Sequence, residues 1–253
     1  MKVRASVLRL PLVICLLLIW EGGARYGFID PHWFTPPSLI LSRLTHELVA
    51  GSLVTDTGIT LFETLVGFAI GLLGGVIFGI LLAFLHRTRE ILMPYLVAIY
   101  GIPRPALAPL FVIWFGIGLI SKIVLIVSLV YFVVLIYVLD GVNHINPTLL
   151  RFASTTGATR SQILMKITLP SLFSWISASM KLGMSLAIIG AVVGEVVAAN
   201  AGLGYYILRA SYQMDTEGVY VGLTILAILG WVLVYLMERL DRHLFHWQRE
   251  ISL

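Results

Sequence analysis

The sequence predicts an all-α, polytopic membrane protein with six transmembrane helices, and three observations carry that prediction. Apolar residues make up 59% of the 253-residue chain and charged residues only 12%, with a mean hydropathy of +0.97, far from the averages of soluble domains. Apolar runs long enough to cross a bilayer recur along the chain. Between two of them lies a polar stretch, residues 146–170, whose hydroxyls and charges would lose their water partners in hydrocarbon.

The chain opens with a short basic segment, residues 1–9 with Lys2, Arg4 and Arg9, and then an apolar run over residues 10–20. That start imitates a secretory signal, but no small-x-small cleavage site follows before Glu21-Gly-Gly-Ala-Arg25, so the run reads as a retained first crossing. Residues 28–57 are mixed and proline-rich; Leu39, Leu41, Leu44 and Leu48 give 38–48 the spacing of a short interfacial helix. The second crossing, 58–85, carries Gly67, Gly71, Gly75 and Gly79 at every fourth position. Such a stripe leaves one helix face smooth enough for another backbone to approach, and packing within the chain is its simplest use. Residues 91–115 form the third crossing. Pro103, Pro105 and Pro109 interrupt it, removing backbone donors near mid-membrane, which is tolerable only where protein or a water-filled cavity supplies partners. The fourth, fifth and sixth crossings fall at 119–139, 172–199 and 219–236, and Glu238 to Leu253 form a polar tail. One transmembrane domain over 1–253 is expected.

Within 146–170, Asn146 is placed to cap a helix that begins at Pro147, where the missing N–H is not needed, and Leu149, Leu150 and Ala153 recur at helical spacing. Gly157 then permits a turn, and Ile163, Leu164 and Ile167 continue an amphipathic pattern until Pro170. Two short helices lying across one face of the membrane are expected.

Gly157 followed by Ile167, Leu169 and Pro170 resembles the EAA loop of the permease subunits of binding-protein-dependent ABC importers. IPRPALAPLFVIWFGIGLISKI (102–123) and GEVVAANAGLGYYI (194–207) resemble the branch that imports taurine, other sulfonates, nitrate, bicarbonate and pyrimidine-type vitamin precursors. The likeness runs from Pro37 to Trp247. Where the family has Glu-Ala-Ala, this chain has Arg151-Phe152-Ala153. The resemblance implies the type I importer permease fold, with Arg151, Phe152, Ala153, Ser154, Gly157, Ala158 and Thr159 forming the coupling helix that enters a cleft of a cytoplasmic ATPase. It also implies two copies, or one copy and a similar permease, around a common pathway; two ATP-binding subunits holding ATP and Mg; and a periplasmic or lipid-anchored solute-binding protein. This chain would itself hold no cofactor.

Lysine and arginine near the span ends divide unevenly. One side would hold Lys2, Arg4, Arg9, Arg87, Arg89, Arg151, Arg160, Lys166, Lys181, Arg239, Arg242 and Arg249, and the other only Arg25, Arg43, Lys122 and Arg209. Twelve against four places both termini and the 146–170 loop in the cytoplasm, and the resemblance implies a bacterial inner membrane.

Ionisable residues inside the spans are the candidate pathway and gate residues, because a charge in hydrocarbon is costly and is kept for a reason. Arg104 lies in the proline-rich break, Glu63 near the outer end of the second span, and Glu195 near the outer end of the fifth. Three readings stand for Arg104: positive potential for an anion pathway, a structural bridge to Glu63 or Glu195, or a side chain that snorkels to an interface. For Glu195, Asn200 and Leu203 the resemblance adds a role at the outer mouth.

Other chemistries find no support in the residues. Cys15 is the only cysteine and the six histidines are scattered, so neither a disulfide within the chain nor a metal site is expected. The net charge of +4 is dispersed among loops rather than gathered into a stripe for nucleic acid, and no phosphate-binding Gly-x-x-x-x-Gly-Lys segment occurs. The expected function is therefore a permease for a small anionic solute, moved by a separate ATPase. A neutral or cationic vitamin or pyrimidine precursor is the alternative solute, and a membrane-embedded enzyme or a passive channel are rivals of another class.

Overall fold

The computed structural model describes residues 2–28, 30 and 32–244, without the side chains of residues 2–10, 86, 160 and 244. Every regular element among them is helical: α1 (Lys2–Arg25), α2 (Pro37–Ala50), α3 (Ser52–Phe84), α4 (His86–Tyr100), a 3-10 turn (Arg104–Leu107), α5 (Ala108–Phe115), α6 (Leu119–Asn143), α7 (Pro147–Thr155), α8 (Arg160–Ile163), a π turn (Leu164–Thr168), α9 (Leu169–Ala198), α10 (Leu203–Tyr212) and α11 (Thr216–Leu244). The chain gathers into two compact units, one of Met1–Ile59 with Asn200–Ile228 and one of Thr60–Ala199 with Leu229–Leu253. Among the described residues, Ser52–Phe84, Leu119–Asn143, Ser161–Ala198 and Thr216–His243 are long and apolar enough to cross a membrane. Arg87–Tyr100 with Arg104–Phe115 forms a fifth candidate, bent by 80°. The first expected crossing lies in α1, whose residues 12–19 present exposed apolar side chains.

The larger unit is built on α6. Ile126, Val130, Val134 and Val138 recur every four residues along it and are fully buried. They face Gly67, Gly71, Gly75 and Gly79 of α3 in register: methyl groups built on those glycines would meet Ile126, Val130, Val134 and Val138 in turn. A β-branched ridge thus enters a glycine groove along matching i±4 rows. Lipid tails are as apolar as these side chains, so burial alone does not favour the pairing in a bilayer; the many short van der Waals contacts that glycine permits do. The stripe expected from the sequence therefore serves packing within the chain.

The register also settles direction. Numbers rise together along α3 and α6, so the two helices run parallel, and the segment between them must recross the membrane. The bent pair α4–α5 is accordingly a broken crossing and not a re-entrant loop. Along α9, Gly183, Gly190 and Gly194 meet Val130, Ile126 and Lys122, with numbers falling as those of α6 rise. α9 is antiparallel to α6 and packs its own glycines on it. α11 runs antiparallel to α9 in turn: Gly230 lies by Ile188, and Lys181 bonds Asp241 at 2.8 Å.

Two expectations are corrected here. The second short helix of the polar loop, α8, does not end before the fifth crossing but runs on through the π turn into α9, so that Ser161–Ala198 is one helix. Pro170 sits inside its first turns rather than opening a new span. Proline cannot donate to the carbonyl four residues back and its ring crowds that carbonyl; the wide π turn Leu164–Thr168 immediately before it absorbs the mismatch. The polar tail continues α11 to Leu244, while the tail's His246, Trp247 and Arg249 lie outside the described residues.

In the smaller unit, Pro37 starts α2 and Gly51, at φ +83°, ends it. Arg43 of α2 forks onto Asp215 at 2.7 and 3.2 Å, and Asp215 caps α11 by accepting the Gly218 N–H at 3.0 Å. Burial pushes the nearby Tyr206 phenol up to about 12, and the Glu47 carboxylate adds to the shift, so this tyrosine is neutral at any working pH.

The α3–α6 contact is directly testable. A methyl on Gly75 would lie 2.7 Å from the Tyr131 carbonyl oxygen and 2.8 Å from Val134 Cβ, whereas Gly58 on the same helix has open space. Gly75→Ala is expected to destabilise the purified protein by about 1–3 kcal/mol. Gly58→Ala should leave the melting temperature level or slightly raised. Equal melting temperatures for the two variants would contradict the packing.

Candidate functional site: the coupling loop and the buried charges

Helix α7 is closed at both ends by its own sequence. Asn146 Oδ1 accepts the Thr148 N–H at 2.9 Å, with Pro147 at the first helical position. At the other end the Ala158 N–H reaches the Ala153 carbonyl at 3.0 Å and the Gly157 N–H reaches Ser154 at 3.2 Å, while Gly157 adopts φ +82°. This is a Schellman closure, in which the left-handed residue must be one that tolerates positive φ. The chain then restarts at once: Thr159 Oγ1 accepts the Gln162 N–H at 3.3 Å and Gln162 Oε1 accepts the Thr159 N–H at 2.8 Å. That reciprocal pair is a capping box for α8.

The result is a stiff reversal with an apolar face left uncovered. Phe152 is 64% exposed and Leu149 45%, while Ala153 is buried beneath them. Between Phe152 and Lys166 runs a groove of about 480 Å³, floored by Ala153, Gly157, Ala158 and Ile163. Arg151, Ser154 and Thr159 lie exposed on the same loop. An exposed phenylalanine on a rigid polar loop, next to a groove, is the kind of surface that anchors another protein.

The acidic candidates lie elsewhere. Glu63 is 1% exposed and pairs with Lys122, itself 6% exposed. Their sequence separation of 59 is the offset of every glycine–valine contact below them, so the ion pair is one more rung of the α3–α6 ladder. The Lys122 stem runs across Gly194, whose built methyl would stand 3.0 Å from Lys122 Cγ. Next to it, Glu195 is fully buried and accepts the Thr60 hydroxyl at 2.7 Å. Glu63, Lys122, Thr60 and Glu195 thus make a charged layer inside the α3–α6–α9 bundle. Asn200 is exposed just beyond α9, and Leu203 is buried at the start of α10, where Gly202 gives its N–H to Asp56 at 2.8 Å.

Arg104 joins neither acid, which removes the reading of a bridge to Glu63 or Glu195. Its side chain is 7% exposed and turns to the end of α4: Nη2 bonds the Ile99 carbonyl at 2.7 Å, Nε that of Ile102 at 3.3 Å, and Nη1 that of Ser128 at 3.3 Å. The guanidinium lies 4.0 Å over the Phe132 ring. The guanidinium thereby ties the carbonyls at the bend, Ile99 and Ile102, to that of Ser128 in α6. Lys122, counted from the sequence near the outer end of the fourth crossing, is buried and paired with Glu63. It lies one turn before Ile126 on the same stripe, and that continued spacing was the available signal. Thr159 and Gln162 likewise spell a Thr-x-x-Gln box that sequence reasoning passed over.

Comparison with known proteins gives the family and the fold. A profile of the family described as "Binding-protein-dependent transport system inner membrane component" matches residues 75–249. A "Probable ABC transporter permease protein" of Haemophilus influenzae is 35% identical over 98% of this chain and 99% of its own length. The formylaminopyrimidine transport permease ThiX of Halalkalibacterium halodurans is 31% identical, covering 94% of each chain. The taurine transport permease TauC of Escherichia coli is 29% identical over 98% of this chain and 92% of its own. Among solved structures, the methionine ABC transporter MetNI in an inward-facing form superposes with a TM-score of 0.67 at 21% identity, over 78% of this chain and 98% of that one, a likeness of fold.

Two substitutions test the local physics. Gly157→Val is expected to raise amide exchange across residues 147–163 by a factor of about 10, since a side chain at φ +82° costs roughly 1–2 kcal/mol; Gly157→Asn should do so less. Unchanged exchange in the valine variant would contradict the closure. Lys122→Met leaves Glu63 buried without its partner and should cost about 3–5 kcal/mol, most of it recovered in Lys122→Met with Glu63→Met. A double variant as unstable as the single one would contradict the pairing.

Proposed function

Because the chain belongs to the family of binding-protein-dependent transport system inner membrane components, it is a permease subunit of an ABC importer and not an enzyme, and we propose how its parts serve that role. The whole of 1–253 acts as one transport domain, with 146–170 as the coupling loop. Each copy engages one of two ATP-binding subunits through this loop, and those subunits hold ATP and Mg and hydrolyse the ATP. Phe152, with Arg151, Ala153, Ser154, Gly157, Ala158 and Thr159, is the contact surface on this chain. The observation that carries this reading is the doubly capped reversal, which presents Phe152 and its groove on a backbone too stiff to yield when pushed. Arg151 stands where the family has Glu, so the polar part of that contact has reversed sign and calls for an acidic partner residue.

Both termini and the loop face the cytoplasm. The excess of lysine and arginine on that side supports this, and the antiparallel packing of α9 and α11 supports it further, since it sets Arg239 and Arg242 at the end from which α9 departs. Two copies, or this chain and a similar permease, form the pathway, and a periplasmic or lipid-anchored binding protein delivers the solute at the opposite side. Glu63, Glu195, Asn200 and Leu203 belong to the outer part of each copy. There the charged layer holds the helices together, and Leu203 with Asn200 borders the mouth. A small anionic solute suits the buried cation of the third crossing. A neutral pyrimidine precursor is the second reading, favoured by the 31% identity to the formylaminopyrimidine permease.

The test is reconstitution with the ATPase and the binding protein. The wild-type chain should co-purify with the ATPase and support ATP-dependent uptake. Phe152→Asp should lower co-purification and uptake together by a factor of about 10 or more, the scale of a buried interface anchor. Uptake that survives without an ATPase, or a Phe152→Asp variant that couples normally, would contradict the proposal.

A further inference from the structure

The break between α4 and α5 leaves an irregular backbone where a membrane helix should be continuous. Tyr100 and Ile102 are each 43% exposed and Gly101 and Pro103 are exposed beside them. Irregular backbone at this depth is not stable against lipid and needs protein or water next to it. At the break lies a cavity of about 320 Å³, bordered by Tyr100, Pro103, Arg104, Ser128, Phe132 and Leu186. One wall is the only buried arginine among the described residues.

That arginine is electrostatically incomplete. A guanidinium has five N–H donors, and three of its bonds go to the carbonyls of Ile99, Ile102 and Ser128, which leaves two. Its remaining neighbour is the face of Phe132 at 4.0 Å. Among the described residues no carboxylate stands within ion-pair distance of it, whereas the other buried cation, Lys122, has Glu63. Carbonyl dipoles and a ring face orient a cation but do not neutralise it, and an unneutralised charge at low exposure is costly. The cost is met when an oxyanion enters the cavity and takes the two free donors, which suit its paired oxygens. Tyr100, Phe132 and Leu186 then face the solute's less polar remainder.

We infer that the break in the third crossing is an oxyanion subsite of the pathway, in which Arg104 is the counter-charge for the sulfonate or carboxylate group of the transported solute and Phe132 keeps the guanidinium in plane. This rests on the transport reading above. It adds where the solute is held and by which chemical group. Because Arg104 also ties the end of α4, the carbonyl bonds set its position while the two free donors do the recognising.

The permease–ATPase complex, carrying Cys15→Ser and Gly101→Cys and reconstituted in phosphatidylcholine vesicles, tests it. Gly101 has φ −68°, so a cysteine fits there. Its rates with an anionic sulfonatoethyl and a cationic trimethylammonioethyl methanethiosulfonate are compared with those of a free thiol. The anionic reagent should be favoured about tenfold, a potential of the size a unit charge at short range gives in a protein. Arg104→Lys should keep that preference and Arg104→Gln should abolish it. Added ethanesulfonate should slow the anionic reaction several-fold when Arg104 is present, which neutral lipid alone cannot do. A ratio unmoved by Arg104→Gln, an introduced thiol inert to both reagents, or no protection by ethanesulfonate would each overturn the subsite; protection alone decides should Arg104→Gln fail to fold. ATP-dependent uptake by the wild-type complex is scored separately, so its loss would sink the transport reading, and its survival without protection would sink only this one.

Discussion

The structure of the larger unit depends on how closely α6 approaches its neighbours. Glycines of α3 and α9 let α6 come within backbone contact on two sides, at Gly75 against the Tyr131 carbonyl and at Gly190 against Ile126 Cα. Inside a bilayer such contact is the main source of helix affinity, because lipid solvates aliphatic side chains as well as another helix does. The same register that seats four β-branched residues in the α3 groove brings Glu63 and Lys122 together one turn higher. Close packing and charge pairing are therefore one feature. The ion pair tolerates its burial because the helices are already held, and it penalises any slip of register by separating buried opposite charges.

This arrangement makes α9 the mechanical link in the chain. Helix Ser161–Ala198 is 38 residues long, about 57 Å at the rise of an α-helix. It starts at the capping box of the coupling loop and ends with Glu195 in the charged layer. α6 packs along one side of it and α11 along another. A displacement of the loop has no soft segment in which to dissipate except the π turn, and that turn is constrained by Pro170 on one side and the capping box on the other. The broken third crossing lies beside this rod, and Arg104 ties its bend to α6, which leaves a largely apolar cavity with one buried cation in its wall.

Much of this was legible in the sequence, and the reasons for success and failure are physical. The glycine stripe of α3, the cap at Asn146 and the proline break depend on residue types whose backbone effects are local, so they read directly. The stripe of α6 was equally regular, but its first member is Lys122. Taken singly, a lysine near a span end looks like a topology marker; only the four-residue spacing shared with Ile126 and Val130 places it in the ladder. Arg104 stands out in the sequence as the charge in the proline-rich break, yet its partners are main-chain carbonyls and a ring from α6, and no pattern of side-chain charges announces those. The continuity of α8 into α9 was missed because proline ordinarily marks a helix start, and the π turn that accommodates it has no signature in residue type.

On the proposed function, the 146–170 loop and the charged layer move as one body through the helix Ser161–Ala198. Electron-spin distance measurement between labels at Ser154→Cys and Val197→Cys, in a Cys15→Ser background with one labelled copy per complex, tests it across resting and ATP-trapped states. The account predicts that this distance stays constant to within about 2 Å, the drift expected of a packed helix, while the distance from Val197 to the ATPase changes. A separation that shortens or broadens by a helical turn on trapping would show the loop moving on its own and would contradict the account.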